Sequence, residues 1–134
     1  MNKDIEKKII LEAWSIFFDE EPENTDVAFE MACDDGWANI IKTAAKLLHK
    51  HNQQKKNDLA YVPAHVEQIK EKFGSLRMYI SGGDYWTNGV VDMTEELSHS
   101  ICEVSGAEGS LYRRGNWFKT LSEDIAKAND YVKV

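Results

Sequence analysis

The first third of the chain carries apolar residues at helical spacing. In residues 3–18 they recur every three to four positions, which predicts an amphipathic helix with one buried face. Asp26 is placed to cap a short second helix through Ala32, because a carboxylate accepts the free amide hydrogens at a helix start. After the break at residues 34–36, the same spacing predicts a third helix over residues 37–50.

The spacing changes in the middle of the chain. Residues 61–70 are typical of a strand, with Pro63 near the beginning, where a missing amide hydrogen is tolerable. From Leu76 to Ser81 apolar and polar residues alternate, as in a half-buried strand. The residues between these segments, 73–75, form a short turn, so the pattern predicts an antiparallel hairpin.

Helical spacing returns near the C-terminus. A helix is predicted over residues 91–104 and ends at Gly106. Residues 107–117 are predicted to form a loop or a small ribbon, and residues 121–128 a final helix. The elements predict one domain over 1–134, an α+β fold in which helices pack around a small antiparallel hairpin or sheet.

Length and cysteine content set the class of protein. A domain of 134 residues buries enough surface to fold without a disulfide or a metal. The two cysteines, Cys33 and Cys102, lie far apart in sequence and are expected to be buried, reduced thiols. The first residues lack the pattern of a secretory signal, and no apolar run approaches the ~20 residues of a membrane helix. We therefore expect a cytoplasmic protein without membrane contact.

The net charge of −7 is concentrated in one part of the chain. Residues 1–36 carry a net charge of −8, whereas the remainder is +1. An acidic region of this kind repels nucleic acid and attracts a basic partner. The candidate partner-binding acids are Glu20, Glu21, Glu23, Asp34 and Asp35. A surface that only keeps the protein soluble is the alternative.

Four motifs carry a family resemblance. They are CDDGW (33–37), QIKEKFGSLRMY (68–79), SHSICEVSG (98–106) and GNWFKTLS (115–122). Together they resemble a family of small bacterial and phage proteins that share a GW helix, a KEKFGGLRFY hairpin, and a CExCG knuckle followed by GWxxTLC. The resemblance covers about residues 33–126. It implies little about activity, because the function of that family is poorly understood.

The resemblance bears on metal binding. The knuckle of the family looks like a zinc site, which needs about four ligands. Only Cys102 matches here, because Ser105 and Ser122 stand at the positions of the second and third cysteines. We therefore expect a degenerate knuckle without metal or other cofactor, filled by the packing of Leu111, Trp117, Phe118 and Leu121. Zinc held by His99 and an acid is the alternative.

No motif indicates catalysis. The chain has no phosphate-binding loop and no G-x-S-x-G nucleophile motif, so an enzyme is not expected. Cys33 paired with a histidine is the only candidate nucleophile, and a structural thiol is the expected state. Glu95 and Glu103 lie one helical turn before and after His99, a spacing that places all three on one face of a continuous helix.

The aromatic residues divide into two groups. Trp37 and Trp117 fall within the family motifs and are predicted to be core residues. Tyr85 and Trp86 stand in a polar segment, where an aromatic pair is often an interface anchor, although it also packs back onto a hairpin in some folds.

These observations predict an immunity, or antitoxin, protein. It would bind and neutralise a cognate bacterial toxin, of the contact-dependent or polymorphic kind with a basic nuclease domain. The alternative is a phage or prophage accessory protein that binds nucleic acid or a host regulator through the Lys70–Tyr79 hairpin. Nucleic-acid binding is the weaker hypothesis here, because Glu67 and Glu71 interleave with the cations of the hairpin.

Overall fold

A computed structural model describes the whole chain, residues 1–134, as four helices and six strands. The helices and strands in chain order are α1 (Lys3–Glu12), β1 (Met31–Ala32), α2 (Ala38–Gln54), β2 (His65–Lys72), β3 (Ser75–Ser81), α3 (Tyr85–Ser98), β4 (Ser110–Arg114), β5 (Trp117–Leu121), α4 (Glu123–Ala128) and β6 (Val132–Lys133). Short 3-10 turns lie at Trp14–Ile16 and Asp35–Trp37. The predicted α+β class is confirmed.

The first sheet contains the predicted hairpin. Its strand order is β1-β2-β3, with β1 parallel and β3 antiparallel to β2. Phe73 and Gly74 connect β2 to β3 with φ of 52° and 85°, so both turn residues are left-handed, as in the two-residue hairpin turns that match strand twist. β2 begins at His65 rather than Tyr61, because the side chain of Asn52 bonds both the amide and the carbonyl of Ala64 at 2.9 Å.

The N-terminal third differs from its prediction. α1 ends at Glu12, and a 3-10 turn follows in which the amide of Ser15 bonds Nδ1 of His49 at 3.3 Å. The predicted helix from Asp26 to Ala32 is wrong. That segment runs without helix to Met31, whose side chain is fully buried and whose amide donates to the buried Glu6 carboxylate at 3.1 Å. A strand position in the sheet therefore outcompetes local helix capping.

Both helices after the hairpin have different bounds from those predicted. α3 begins at Tyr85 rather than residue 91, and it ends at Ser98, well before Gly106. At its last residue the Ser98 hydroxyl accepts a hydrogen bond from the amide of Leu76 on β3 at 3.0 Å, and the next two amides bond carbonyls only three residues back. The predicted ribbon is present as β4 and β5, and α4 begins at Glu123.

The larger hydrophobic core lies between the inner face of the first sheet and the helices. It contains 18 buried residues, with Trp37 at its centre, fully buried and donating from Nε1 to the carbonyl of Ile101 at 2.8 Å. Cys33 belongs to this core and Cys102 to a smaller one beneath the second sheet. Both thiols are free and buried, as expected. The two sheets meet where the Thr120 hydroxyl donates to the carbonyl of Gly74 at 2.6 Å.

None of the helices combines the length and the apolar character that crossing a bilayer requires.

Candidate functional site

The start of α3 is fixed by two connected contacts. The Asp84 carboxylate accepts from the amide of Thr87 at 3.1 Å, and the Thr87 hydroxyl lies 2.7 Å from the amide of Asp84. This reciprocal capping box satisfies two free amides of the first turn. The other carboxylate oxygen of Asp84 accepts from Nε2 of His51 on α2 at 2.8 Å. Hydrogen bonding by His51, followed by that of Thr87, holds the pKa of Asp84 below its usual range.

His51 supports an aromatic stack on its outer side. Its ring, which is 9% exposed, lies under Trp86 with ring centres 4.5 Å apart and planes 14° apart. Tyr61 meets the same imidazole edge-on at 5.5 Å and donates its hydroxyl to Asn52 at 2.6 Å. Burial raises the pKa of the Tyr61 phenol, and the Asp84 charge adds to the rise. The stack fixes the orientation of the indole, a condition for a low-entropy contact.

Four apolar side chains are exposed on the segment after α2 and on the first turn of α3. Leu59 is 101% exposed, Tyr85 96%, Val62 64% and Trp86 47%. A hydrogen bond of 2.7 Å between the Gly83 amide and the Val62 carbonyl joins the segment that follows α2 to the start of α3. We call Leu59, Val62, Tyr85 and Trp86 the apolar surface. Exposed apolar residues grouped in this way mark interaction sites more often than isolated ones do.

A groove of about 430 Å³ runs from the apolar surface towards the acids of the N-terminal region. Its lining includes Val62 and Pro63 of the segment before β2 and Phe18 and Asp19 of the N-terminal region. Glu21 lies close enough to His49 to raise the pKa of the imidazole, although burial of the ring has the larger effect and lowers it overall. Part of the acidic region therefore lies near the apolar surface.

The carboxylates of this region form no ion pair with a cation of the same chain. We define the acidic segment as residues 19–26; its carboxylates, all exposed, are Asp19, Glu20, Glu21, Glu23 and Asp26. None takes part in any ion pair of the fold. Their charges are therefore free to act on an approaching partner.

Asp34 and Asp35 lie elsewhere and have structural contacts. Asp35 accepts from the amide of Asn2 at 2.7 Å, and Asp34 lies 3.4 Å from Nζ of Lys119. Lys119 also pairs at 2.9 Å with Glu103, which is 2% exposed. Burial raises the pKa of Glu103 despite this partner. The five predicted partner-binding acids therefore lie in two places. Three belong to the acidic segment, whereas Asp34 and Asp35 have partners within the fold.

The segment 102–106, compared above with a zinc knuckle, forms a tight turn in which the Gly106 amide bonds the Cys102 carbonyl at 2.9 Å. The buried Cys102 sulfur accepts from the amide of Ser105 at 3.4 Å, and Ser122 lies on its other side. Burial raises the pKa of the Cys102 thiol, but the amides and hydroxyls of Ser105 and Ser122 lower it more. The Ser122 hydroxyl is buried and lacks a partner with good hydrogen-bond geometry. No group of three His, Cys, Asp or Glu side chains is close enough together to hold a metal ion.

Three expectations for aromatic and acidic residues need correction. Trp117 is 70% exposed rather than core, because it stands beside the β4–β5 turn, opposite Arg114. Tyr85 and Trp86 occupy the first turn of α3 rather than a loop. Glu95, His99 and Glu103 do not share a helical face: α3 ends before His99, Glu95 accepts from the amide of Met78, and Glu103 is buried.

Sequence reasoning found Tyr85 and Trp86 but missed the residues that complete their surroundings. Leu59 lies between the polar residues 51–58 and the predicted strand at 61–70, and an isolated leucine beside Asp58 is the only signal the sequence offers. His51 follows the predicted third helix in a polar context that favours an exposed side chain, whereas it is buried beneath Trp86. Nothing in the spacing of His51 and Asp84, 33 positions apart, indicates their pairing.

Comparisons of the chain with protein-family models, with curated proteins and with solved structures found no match.

Proposed function

We propose that this protein is an immunity-type inhibitor that binds and neutralises a basic protein toxin in the cytoplasm. The observation that carries the proposal is the apolar surface, in which Tyr85 is 96% exposed on a helix start held by the Asp84 cap. Tyrosine and tryptophan dominate the energetics of protein interfaces because they bury a large area with few rotatable bonds.

The surface is prepared for binding before a partner arrives. Trp86 is already ordered by His51, so an incoming protein would not bear the cost of fixing it. Tyr85 has no interaction within the fold to lose. Leu59 and Val62 add exposed apolar area on the segment that the hydrogen bond between the Gly83 amide and the Val62 carbonyl joins to the start of α3.

The acidic segment supplies the second element of the proposal. Its unpaired carboxylates would attract a cationic surface and speed encounter, while the anchors would set the dissociation rate. A toxin that acts on nucleic acid presents such a cationic surface. Covering its substrate site with acidic residues is a direct means of inhibition.

The test is co-expression with the product of the adjacent upstream gene. The proposal predicts a stoichiometric complex, and growth rescue when that product alone is toxic. Tyr85→Ala should weaken the complex by about 30-fold, equivalent to about 2 kcal/mol at a central anchor. Because Tyr85 makes no contact in the fold, the Tyr85→Ala variant should have the same melting temperature as the wild type.

Trp117→Ala is the matched control, since it also removes an exposed aromatic ring, but from the second sheet. It should leave affinity unchanged. Equal affinity of wild type and Tyr85→Ala would refute the anchor, and the absence of any complex or rescue would refute the immunity function.

A further inference from the structure

A second surface, distinct from the apolar surface, lies on the outer face of the β2–β3 hairpin. The strand register places Lys70 directly opposite Arg77, Lys72 opposite Ser75, and Gln68 opposite Tyr79. Their inward neighbours Ile69, Leu76 and Met78 are buried. Lys70, Arg77, Lys72 and Tyr79 therefore share the face that points away from the core.

The cations on this face have no acidic partner. Lys70, Lys72 and Arg77 take part in none of the ion pairs of the fold. Like charges directly opposite each other destabilise a strand pair, so the Lys70–Arg77 pair is unfavourable for folding. A net charge of −7 makes three unpaired cations on one face more unusual still.

The two glutamates of the hairpin, Glu67 and Glu71, each have hydrogen-bond partners other than the three cations. Glu71 pairs in register with the buried Leu76 and accepts from the amide of Gly74 at 2.9 Å. Glu67 lies at the far end of the hairpin, where it accepts from the Ser81 hydroxyl at 2.6 Å and pairs with His65. Alternation along β2 therefore removes Glu71 from the outer face, whereas Glu67 stays exposed beside the bulge at its far end, held by Ser81 and His65.

Two exposed aromatic rings accompany the cations. Phe73 is 71% exposed at the hairpin tip, and its φ of 52° is a conformation that a phenylalanine rarely adopts. Tyr79 is 42% exposed, with Nζ of Lys70 5.7 Å from its ring centre. The tip packs on the second sheet through Gly74, on the face of that sheet that carries Leu111 and, two residues on, the unpaired Arg113.

We propose that this outer hairpin face binds single-stranded nucleic acid, with phosphates contacting Lys70, Lys72 and Arg77 and bases stacking on Phe73 and Tyr79. Cations that follow a backbone, together with rings that accept any base, are the two elements of such recognition. An acidic peptide would use the cations but not the rings. A duplex keeps its bases stacked internally, away from Phe73 and Tyr79.

The test measures fluorescence anisotropy of labelled dT20 and rU20 with the full chain, at rising salt. Binding should weaken with a log–log slope of about −2, as expected when about three phosphates are neutralised at ~0.7 ions each. Lys70→Glu and Phe73→Asn should each weaken binding at least tenfold. Both should melt at the wild-type temperature or above it, because the first creates an attractive pair with Arg77 and the second relieves the strained φ.

Matched controls separate this site from general charge and general aromatic effects. Lys42→Glu makes the same charge change on an exposed position of α2, and Tyr85→Ala removes an even more exposed ring from the apolar surface. Both should bind the oligonucleotides like the wild type. Equal loss in Lys42→Glu would reduce the effect to net charge and overturn the proposal. The proposal would also be overturned if the protein did not bind the oligonucleotides at low salt, bound a 20-base-pair duplex equally well, or bound poly-L-glutamate more tightly.

Discussion

At the scale of single residues, Gly36 is tightly enclosed by backbone atoms. A Cβ there would lie 2.2 Å from the carbonyl oxygen of Cys102 and 2.4 Å from that of Glu103. The Gly36 amide also donates to the Glu103 carbonyl at 2.7 Å. The backbone before α2 is thus in direct contact with the backbone of Cys102 and Glu103, with no room for a side chain between them.

Gly36→Ala should therefore destabilise the protein by about 3 kcal/mol, the upper part of the range for overpacking, because backbone atoms have little freedom to move aside. Chemical denaturation monitored by circular dichroism would measure this change. Gly89→Ala is the control, since a Cβ at that position of α3 meets nothing within 4 Å. It should stabilise the protein by about 0.5–1 kcal/mol. Similar effects of both substitutions would contradict the close contact.

At the scale of the elements, the start of α3 depends on ionised Asp84. The pKa of this carboxyl is lowered in the folded protein, chiefly by the hydrogen bond from His51. Because the pKa is lower in the folded protein, ionised Asp84 stabilises the fold fully above its pKa in the unfolded chain, about 4. This stabilisation is lost as the pH falls through the lower pKa of the folded protein.

Asp84→Ala should accordingly melt at a lower temperature than the wild type at pH 7. The difference should shrink as the pH falls below about 4, because the wild-type carboxyl then becomes protonated. Melting curves between pH 2.5 and 7 test this prediction. Asp92→Ala is a suitable control, because Asp92 is exposed on α3 and makes no hydrogen bond or ion pair that would depend on its charge. A constant difference for Asp84→Ala at all pH values would show that the charge is unimportant.

The elements also show where sequence patterns succeed. α2 and the hairpin follow their patterns because one face of each packs on the main core, which selects apolar residues at the element's own period. Met31 and Ala32 were misassigned because a two-residue parallel strand is too short to leave a pattern, and its partner Ile69 lies 38 positions away. Tyr85 and Trp86 are predictable as interface anchors because two aromatic residues adjoin in a polar segment. The stacking of His51 on Trp86 is not predictable, because it depends on tertiary contacts.

At the scale of the whole molecule, charge is strongly segregated. The two hairpins, 65–81 and 110–121, contain six lysines and arginines against two glutamates, so they carry a net charge of +4 and the rest of the chain −11. A basic protein and a polyanion would accordingly be directed to different parts of the surface.

Reversal of Glu20, Glu21 and Glu23 to lysine tests the acidic part of this arrangement. The triple variant should associate with a basic toxin at least tenfold more slowly at low salt, with little change in dissociation rate, because exposed charges act mainly on encounter. Surface plasmon resonance at several salt concentrations separates the two rates. Asp92→Lys, Glu96→Lys and Glu108→Lys together make the same charge change on other exposed positions. Equal slowing by both triple variants would assign the effect to net charge.

The acidic segment is also a place where the chain can be cut without separating the two parts of the fold. Residues 19–30 make no backbone–backbone hydrogen bond, yet the chain is anchored before them by α1 and after them by β1. Phe17 and Phe29 also meet across the segment, with ring centres 5.0 Å apart. A glutamate-specific protease has substrate residues here at Glu20 and Glu23, whereas Glu21 is protected because Pro22 follows it. The two pieces left by such a cut would remain associated through the main core, so the protein is divisible at this point into complementing fragments.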